Sequence, residues 1–221
     1  MSAPGQQKLL EIDHLRVRFR SLGPVKALLE GNKDPYLDAV ADVSMTLLQG
    51  ETYGIVGESG AGKTTLGRTI VGLADSASGS IRLNGTELTN LSDNEFRQQR
   101  RQIGMMFQDP VASLSPRLTI RSLLSEPFQI HQINVKQIDQ SIKRLLNMVG
   151  LLPDFLDRYP HELSGGQARR VGVARALALE PRLIIADEPT AGLDVSVQGE
   201  ILNLMADLQD QLRISYLIIS H

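Results

Sequence analysis

The sequence has no cysteine and no tryptophan, and five phenylalanines and four tyrosines make up its Phe, Tyr and Trp content. Without cysteine there is no disulfide and no thiolate metal centre. The four histidines, at positions 14, 131, 161 and 221, show no HxH or HxxxH spacing, which argues against a zinc site. No apolar run approaches the roughly 20 residues a membrane-spanning helix needs. The opening "MSAPGQQKLLEIDHLR" also lacks the apolar stretch of a signal peptide. Neither sign of charge dominates: 23 Lys and Arg against 25 Asp and Glu give a net charge of −2. A strong electrostatic grip on nucleic acid or anionic lipid is not expected. These absences point to a cytosolic chain, or to one docked on something that is not cytosolic.

What remains is ordinary for a folded soluble domain, with 42% hydrophobic and 22% charged residues over 221 positions. That length supports one sizeable core, or a core with a smaller companion. Residues 9–19 alternate as a strand should, and 20–36 form an irregular insertion rich in proline and glycine. Two strands turning at Gln49-Gly50 fill 39–57, and a helix is expected from Gly62 to about Leu73. "SGSIRLNG" reads as a strand closed by an Asn-Gly turn. "SDNE" at 92–95 has capping-box spacing, and 102–108 is again a strand. Helical periodicity in 119–150 marks an insertion spanning about 110–165. Helix 165–179, strand 182–187, helix 196–212 and strand 216–220 follow. "LIIA" and "LIIS" are apolar on both faces, so these strands belong to a parallel sheet covered on both sides.

"GESGAGKT", residues 57–64, follows a strand and opens a helix, and it has the spacing G-x-x-x-x-G-K-[ST]. Gly57, Gly60 and Gly62 let the backbone curl around Glu58, Ser59 and Ala61 so that successive N–H groups face anionic oxygens. The helix beyond adds its positive end. Lys63 suits the β- and γ-phosphates, the Thr64 hydroxyl suits Mg²⁺, and Thr65 suits the α-phosphate side. This is a nucleoside triphosphate cradle.

"RLIIADEP", residues 182–189, is an apolar strand ending in two carboxylates, at the end of the sheet where α/β ligands bind. Adjacent strand residues point opposite ways, so two separate roles are expected. Asp187 would belong to the Mg²⁺ shell, and Glu188 would polarise the attacking water as general base.

Many enzyme classes share such a loop, and "ELSGGQARR" at 162–170 decides among them. It resembles the signature of ABC ATPases, and other motifs stand in that family's order. Gln108 in "MMFQDP" matches the Q-loop, "PTAGLDVS" the D-loop with Asp194 at its aspartate, and His221 the switch histidine. The resemblance implies a P-loop NTPase core with a mainly parallel sheet, an N-terminal antiparallel β subdomain and an inserted helical subdomain. The whole chain would be one ATPase domain, with 1–109 and 166–221 as core and about 110–165 as the helical part. It also implies ATP with Mg²⁺, held by Thr64, Asp187 and Gln108. Ser164, Gly165, Gly166 and Gln167 of one subunit would close over nucleotide bound by a second subunit, making a head-to-tail homo- or heterodimer. Ser164 is in addition a natural N-cap for the helix that follows. For adenine stacking the choice is Phe19, with Tyr36 as the alternative.

The stretches "GESGAGKTTLGR", "FQDPVASLSPRLTI" and "GLDVSVQGEILNLMADLQDQL" look like the ATPases of peptide-type importers, which handle peptides, nickel and related solutes. Such a subunit would sit on the cytoplasmic face of the inner membrane and meet its permease through a groove near Gln108. Alone it would be soluble, with no nucleic-acid partner. A soluble repair- or translation-type ABC ATPase and the ATPase half of an exporter are the alternatives. Family members continue beyond the position of His221, so a C-terminally truncated fragment is expected.

Overall fold

The computed structural model describes residues 7–20, 36–133 and 138–221. In chain order the elements are strands β1 (Lys8–Arg20), β2 (Tyr36–Leu48) and β3 (Thr52–Val56), helix α1 (Lys63–Ile70), and strands β4 (Ser78–Leu83) and β5 (Thr86–Glu87). Helix α2 (Asp93–Gln99) and strand β6 (Ile103–Met106) come next, then helices α3 (Pro110–Ser113), α4 (Ile120–Ile130), α5 (Ile138–Met148) and α6 (Gly165–Leu177). Strand β7 (Leu183–Asp187), helix α7 (Val195–Leu212) and strand β8 (Ser215–Ser220) complete the order. The chain divides into two compact units: Met1–Leu48 with Val56–Phe96 and His221, and Gln49–Ile55 with Arg97–Ser220. The expected insertion at 20–36 lies largely outside the described residues, although Arg20 and Tyr36 themselves belong to β1 and β2.

In the first unit β1, β2, β4 and β5 form an antiparallel sheet in the order β2-β1-β4-β5. Alternation in β1 turns Leu10, Ile12, Leu15 and Val17 inward, with a register shift between Ile12 and Leu15 where His14 takes φ 46°. His14 lies on the surface and pairs with Asp42 at 3.0 Å, so it has a structural partner. The Asn84-Gly85 dipeptide closes the β4–β5 hairpin with φ of 50° and 78°, the signs a type I′ turn requires. Helix α1 packs Leu66 and Ile70 inward and contacts β1 and β2. It stops at Ile70, short of the expected Leu73. Gly72 takes φ 68°, and Leu73 N–H turns back to the Arg68 carbonyl at 2.8 Å, ending the helix.

In the second unit the sheet order is β3-β8-β7-β6, with β6, β7 and β8 parallel. Every residue of β7 is buried, as a strand covered on both faces requires. Helices α4, α5 and α6 share one apolar core that includes Leu124, Ile142, Leu146, Val171 and Ala174. Truncating a fully buried member such as Leu146 to Ala should cost about 2–5 kcal/mol. Helix α7 buries Ile201, Met205 and Leu208, while Leu212 at its last turn is exposed.

Candidate functional site

The first unit carries the phosphate-loop residues. Gly60 and Gly62 take φ of 81° and 86°, and Gly62 is the N-cap of α1. A Cβ at position 62 would lie 2.0 Å from the Ala39 carbonyl oxygen, so this turn admits only glycine. Lys63 Nζ lies across the loop and donates to the carbonyls of Gly57 and Glu58, each at 2.7 Å. The first turn of α1 has no acidic side chain and no side-chain cap. Its N–H groups and the positive helix end are therefore disposed toward an anion. Thr64 and Thr65 are half-buried in this turn.

Phe19 and Tyr36 are 47% and 49% exposed at the paired ends of β1 and β2 in the same unit. Phe19 pairs with Leu37 and Arg20 with Tyr36, so the two aromatics stand on adjacent rungs and opposite faces. His221 is exposed.

The second unit carries the acidic strand end and the signature helix. Asp187 ends β7 and is 2% exposed. Glu188 has left the strand and takes φ 48°, while its N–H donates to the Ile219 carbonyl at 2.9 Å. Asp187 is thus a buried strand residue, while Glu188 is half-buried beyond the strand with its backbone in the left-handed region, so strand alternation does not reach it. For a non-glycine residue that conformation costs on the order of 1 kcal/mol. Gln108 Nε2 donates to Glu188 Oε2 at 2.7 Å, joining two residues 80 positions apart.

Ser164 caps α6 and forms a reciprocal capping box with Gln167. Gln167 N–H donates to Ser164 Oγ at 3.3 Å, and Ser164 N–H donates to Gln167 Oε1 at 3.0 Å. Beside them a Cβ at Gly166 would lie 2.9 Å from Val197 Cγ1, so the glycine lets the first turns of α6 and α7 approach. Asp194 is the N-cap of α7 through its carbonyl, which accepts from Gln198 N–H at 2.9 Å; its carboxylate makes no capping bond.

Sequence reasoning missed Arg169. It is 2% exposed and donates to the carbonyls of Gln108 (2.8 Å), Phe107 (3.4 Å) and Ala191 (2.8 Å). Burial lowers its pKa, opposed by Asp109. The available signal was its spacing, since Arg169, Val173 and Ala176 fall at i, i+4 and i+7 on one buried stripe.

A cleft of about 230 Å³ in this unit is lined by Phe107, Arg100, Arg101, Glu126, Pro127 and His131, among others. Burial, reinforced by Arg101, Arg97 and Arg100, lowers the pKa of His131. Among the described residues no group of three or more His, Asp or Glu side chains could hold a metal ion. Among them, too, no helix is long and apolar enough to cross a membrane.

The fold is that of an ATP-binding cassette. The chain belongs to the ABC transporter family, whose model matches residues 40–191. It is 46% identical, over 100% of its length, to the oligopeptide transport ATP-binding protein AppF of Bacillus subtilis, covering 67% of that protein. It is 44% identical, over 98% of its length, to the oligopeptide transport ATP-binding protein OppF of Haemophilus influenzae, covering 65% of it. The chain thus spans about two thirds of the length of these relatives. Among solved structures, an ATP-binding cassette in a dimeric post-hydrolysis state with ADP and Pi superposes with a TM-score of 0.82 at 27% identity. That match covers 96% of this chain and 88% of the other.

Proposed function

We propose that this chain is the ATP-binding and ATP-hydrolysing part of a subunit that energises import of oligopeptides or related small solutes through a membrane permease. The observation that carries the reading is the likeness, along essentially the whole chain, to oligopeptide transport ATP-binding proteins. ATP is the substrate, and the loop 57–65 fits its phosphates because α1 begins with neither an acidic side chain nor a side-chain cap. Lys63 neutralises the β- and γ-phosphates, and Phe19 or Tyr36 stacks on adenine. Mg²⁺ accompanies ATP in this reading, an ion that keeps several waters and takes one or two carboxylates beside the substrate phosphates. Thr64, Asp187 and the amide oxygen of Gln108 would hold it, and the ion would offset developing negative charge.

Hydrolysis requires a water held in line with the γ-phosphate. Glu188 polarises that water as general base, and the Gln108 amide orients the carboxylate through the bond at 2.7 Å. His221 steadies the water and the γ-phosphate. Residues of about 110–165 act as the helical subdomain, at whose end Ser164, Gly165, Gly166 and Gln167 face nucleotide held by a second copy or a related subunit, and Asp194 of the core's D-loop joins them there. Closure of that head-to-tail pair drives the permease, which docks at the cleft beside Phe107 on the cytoplasmic face of the membrane. The test is ATP turnover by the chain alone and with its permease in proteoliposomes. Mg²⁺-dependent hydrolysis that rises with permease and peptide is expected, and a chain that neither binds nor cleaves ATP would overturn the reading.

A further inference from the structure

Arg169 stands four residues after the glycine that opens α6, and its three hydrogen bonds all go to main-chain carbonyls. Two of those carbonyls, Phe107 and Gln108, belong to the segment that carries the Gln108 side chain. The third, Ala191, closes the turn in which Ala191 N–H donates to the Glu188 carbonyl at 3.1 Å. One buried guanidinium therefore fixes the backbone on both sides of the Gln108–Glu188 contact. The helix bearing it begins at the Ser164–Gln167 capping box. The Arg169 Nε has no hydrogen-bond partner among the described residues, and all three bonds come from the terminal fork. A planar fork spans two segments at once, whereas an ammonium is a single point of attachment.

We infer that Arg169 is a positioning residue that locks residues 107–108 to residues 188–191 and carries displacement of the Ser164 end of α6 to the Gln108–Glu188 pair. The inference rests on the proposed ATPase reading, because what it positions is the general base and its orienting amide. A guanidinium anchored to rigid helix backbone keeps both segments in one register. Without the fork each is free to shift by a fraction of an ångström, and a displacement of about 1 Å at a reacting group can cost on the order of a hundredfold in rate.

The experiment compares the full chain with its Arg169→Lys and Arg169→Met variants in three measurements: ATP affinity, steady-state turnover, and peptide-resolved amide hydrogen exchange without nucleotide. ATP affinity should stay within about threefold, since the phosphate cradle is untouched, while kcat falls about tenfold for lysine and further for methionine. Exchange should accelerate about tenfold in peptides covering 107–109 and 188–191, and not in β7. A purely structural role predicts lower thermal stability with kcat per folded molecule unchanged, and that result would overturn the inference. So would unchanged exchange in both segments. If the parent chain neither binds nor cleaves ATP, the ATPase reading falls and the exchange rates alone decide whether Arg169 couples the two segments.

Discussion

The two units use their helix N-termini in opposite ways. Helix α1 begins at a glycine in the left-handed region, without acidic residue or side-chain cap, so no carboxylate of its first turn offsets its positive end. Helix α6 begins at Ser164, which closes a reciprocal box with Gln167 and satisfies two of its own end groups. The first arrangement is built to grip. The second is built to hold its own shape while the Ser164 hydroxyl, which accepts from Gln167 N–H, keeps its proton to donate elsewhere. In the proposed chemistry Lys63 and the cradle lie in one unit and the Gln108–Glu188 pair in the other, with His221 counted in the first. Binding and turnover should therefore respond to separate sets of substitutions.

The sharpest break in that division is Glu188→Gln. Loss of the general base should lower kcat by about 10²–10⁴-fold, read by phosphate release from the purified chain. Next comes Lys63→Ala, which removes a charged hydrogen-bond donor from the cradle. ATP affinity should fall about tenfold to a hundredfold by calorimetric titration, consistent with a charged hydrogen bond of about 1.5–3 kcal/mol. Unchanged affinity there would collapse the contrast between the two units. Ser164→Ala should cost about 1 kcal/mol of stability by loss of the cap, measured by urea unfolding, while isolated-chain ATP affinity holds.

The smallest effect is at Tyr216, whose buried hydroxyl has no hydrogen-bond partner among the described residues. Tyr216→Phe should be neutral, or stabilising by up to about 1 kcal/mol. The substitution should also change the alkaline limb of the stability profile. Burial raises this phenol to about 12, against about 10 when unfolded. Its contribution is fully present below pH 10 and lost as pH rises through 12, so the phenylalanine variant should unfold less readily across that window.

Much of this was legible because turns and caps are local chemistry. Asn84-Gly85 demanded a type I′ hairpin, Ser92 and Glu95 formed the expected capping contact at 2.9 Å, and the apolar β7 was buried throughout. The left-handed turn at Gly60 and Gly62 followed from glycine spacing, and Gly62 shows why no other residue fits there. Legibility failed where a long-range neighbour decides the outcome. Apolar pattern ran past Ile70, but the left-handed Gly72 ended α1. Strand alternation suggested why Asp187 and Glu188 should part, but Glu188 lies beyond the strand at φ 48°, where alternation does not reach it. Arg169 was passed over in the sequence; the carbonyls that hold it are 61 and 22 positions away.

The division of labour between the two units meets its most direct test in the ATP dissociation constant of Glu188→Gln, measured by titration on the full chain. If Lys63 and the cradle grip while Glu188 acts on water alone, that constant stays within about threefold of the parent even as turnover collapses. A loss of affinity as large as that of Lys63→Ala would contradict the account, because Glu188 would then belong to the grip.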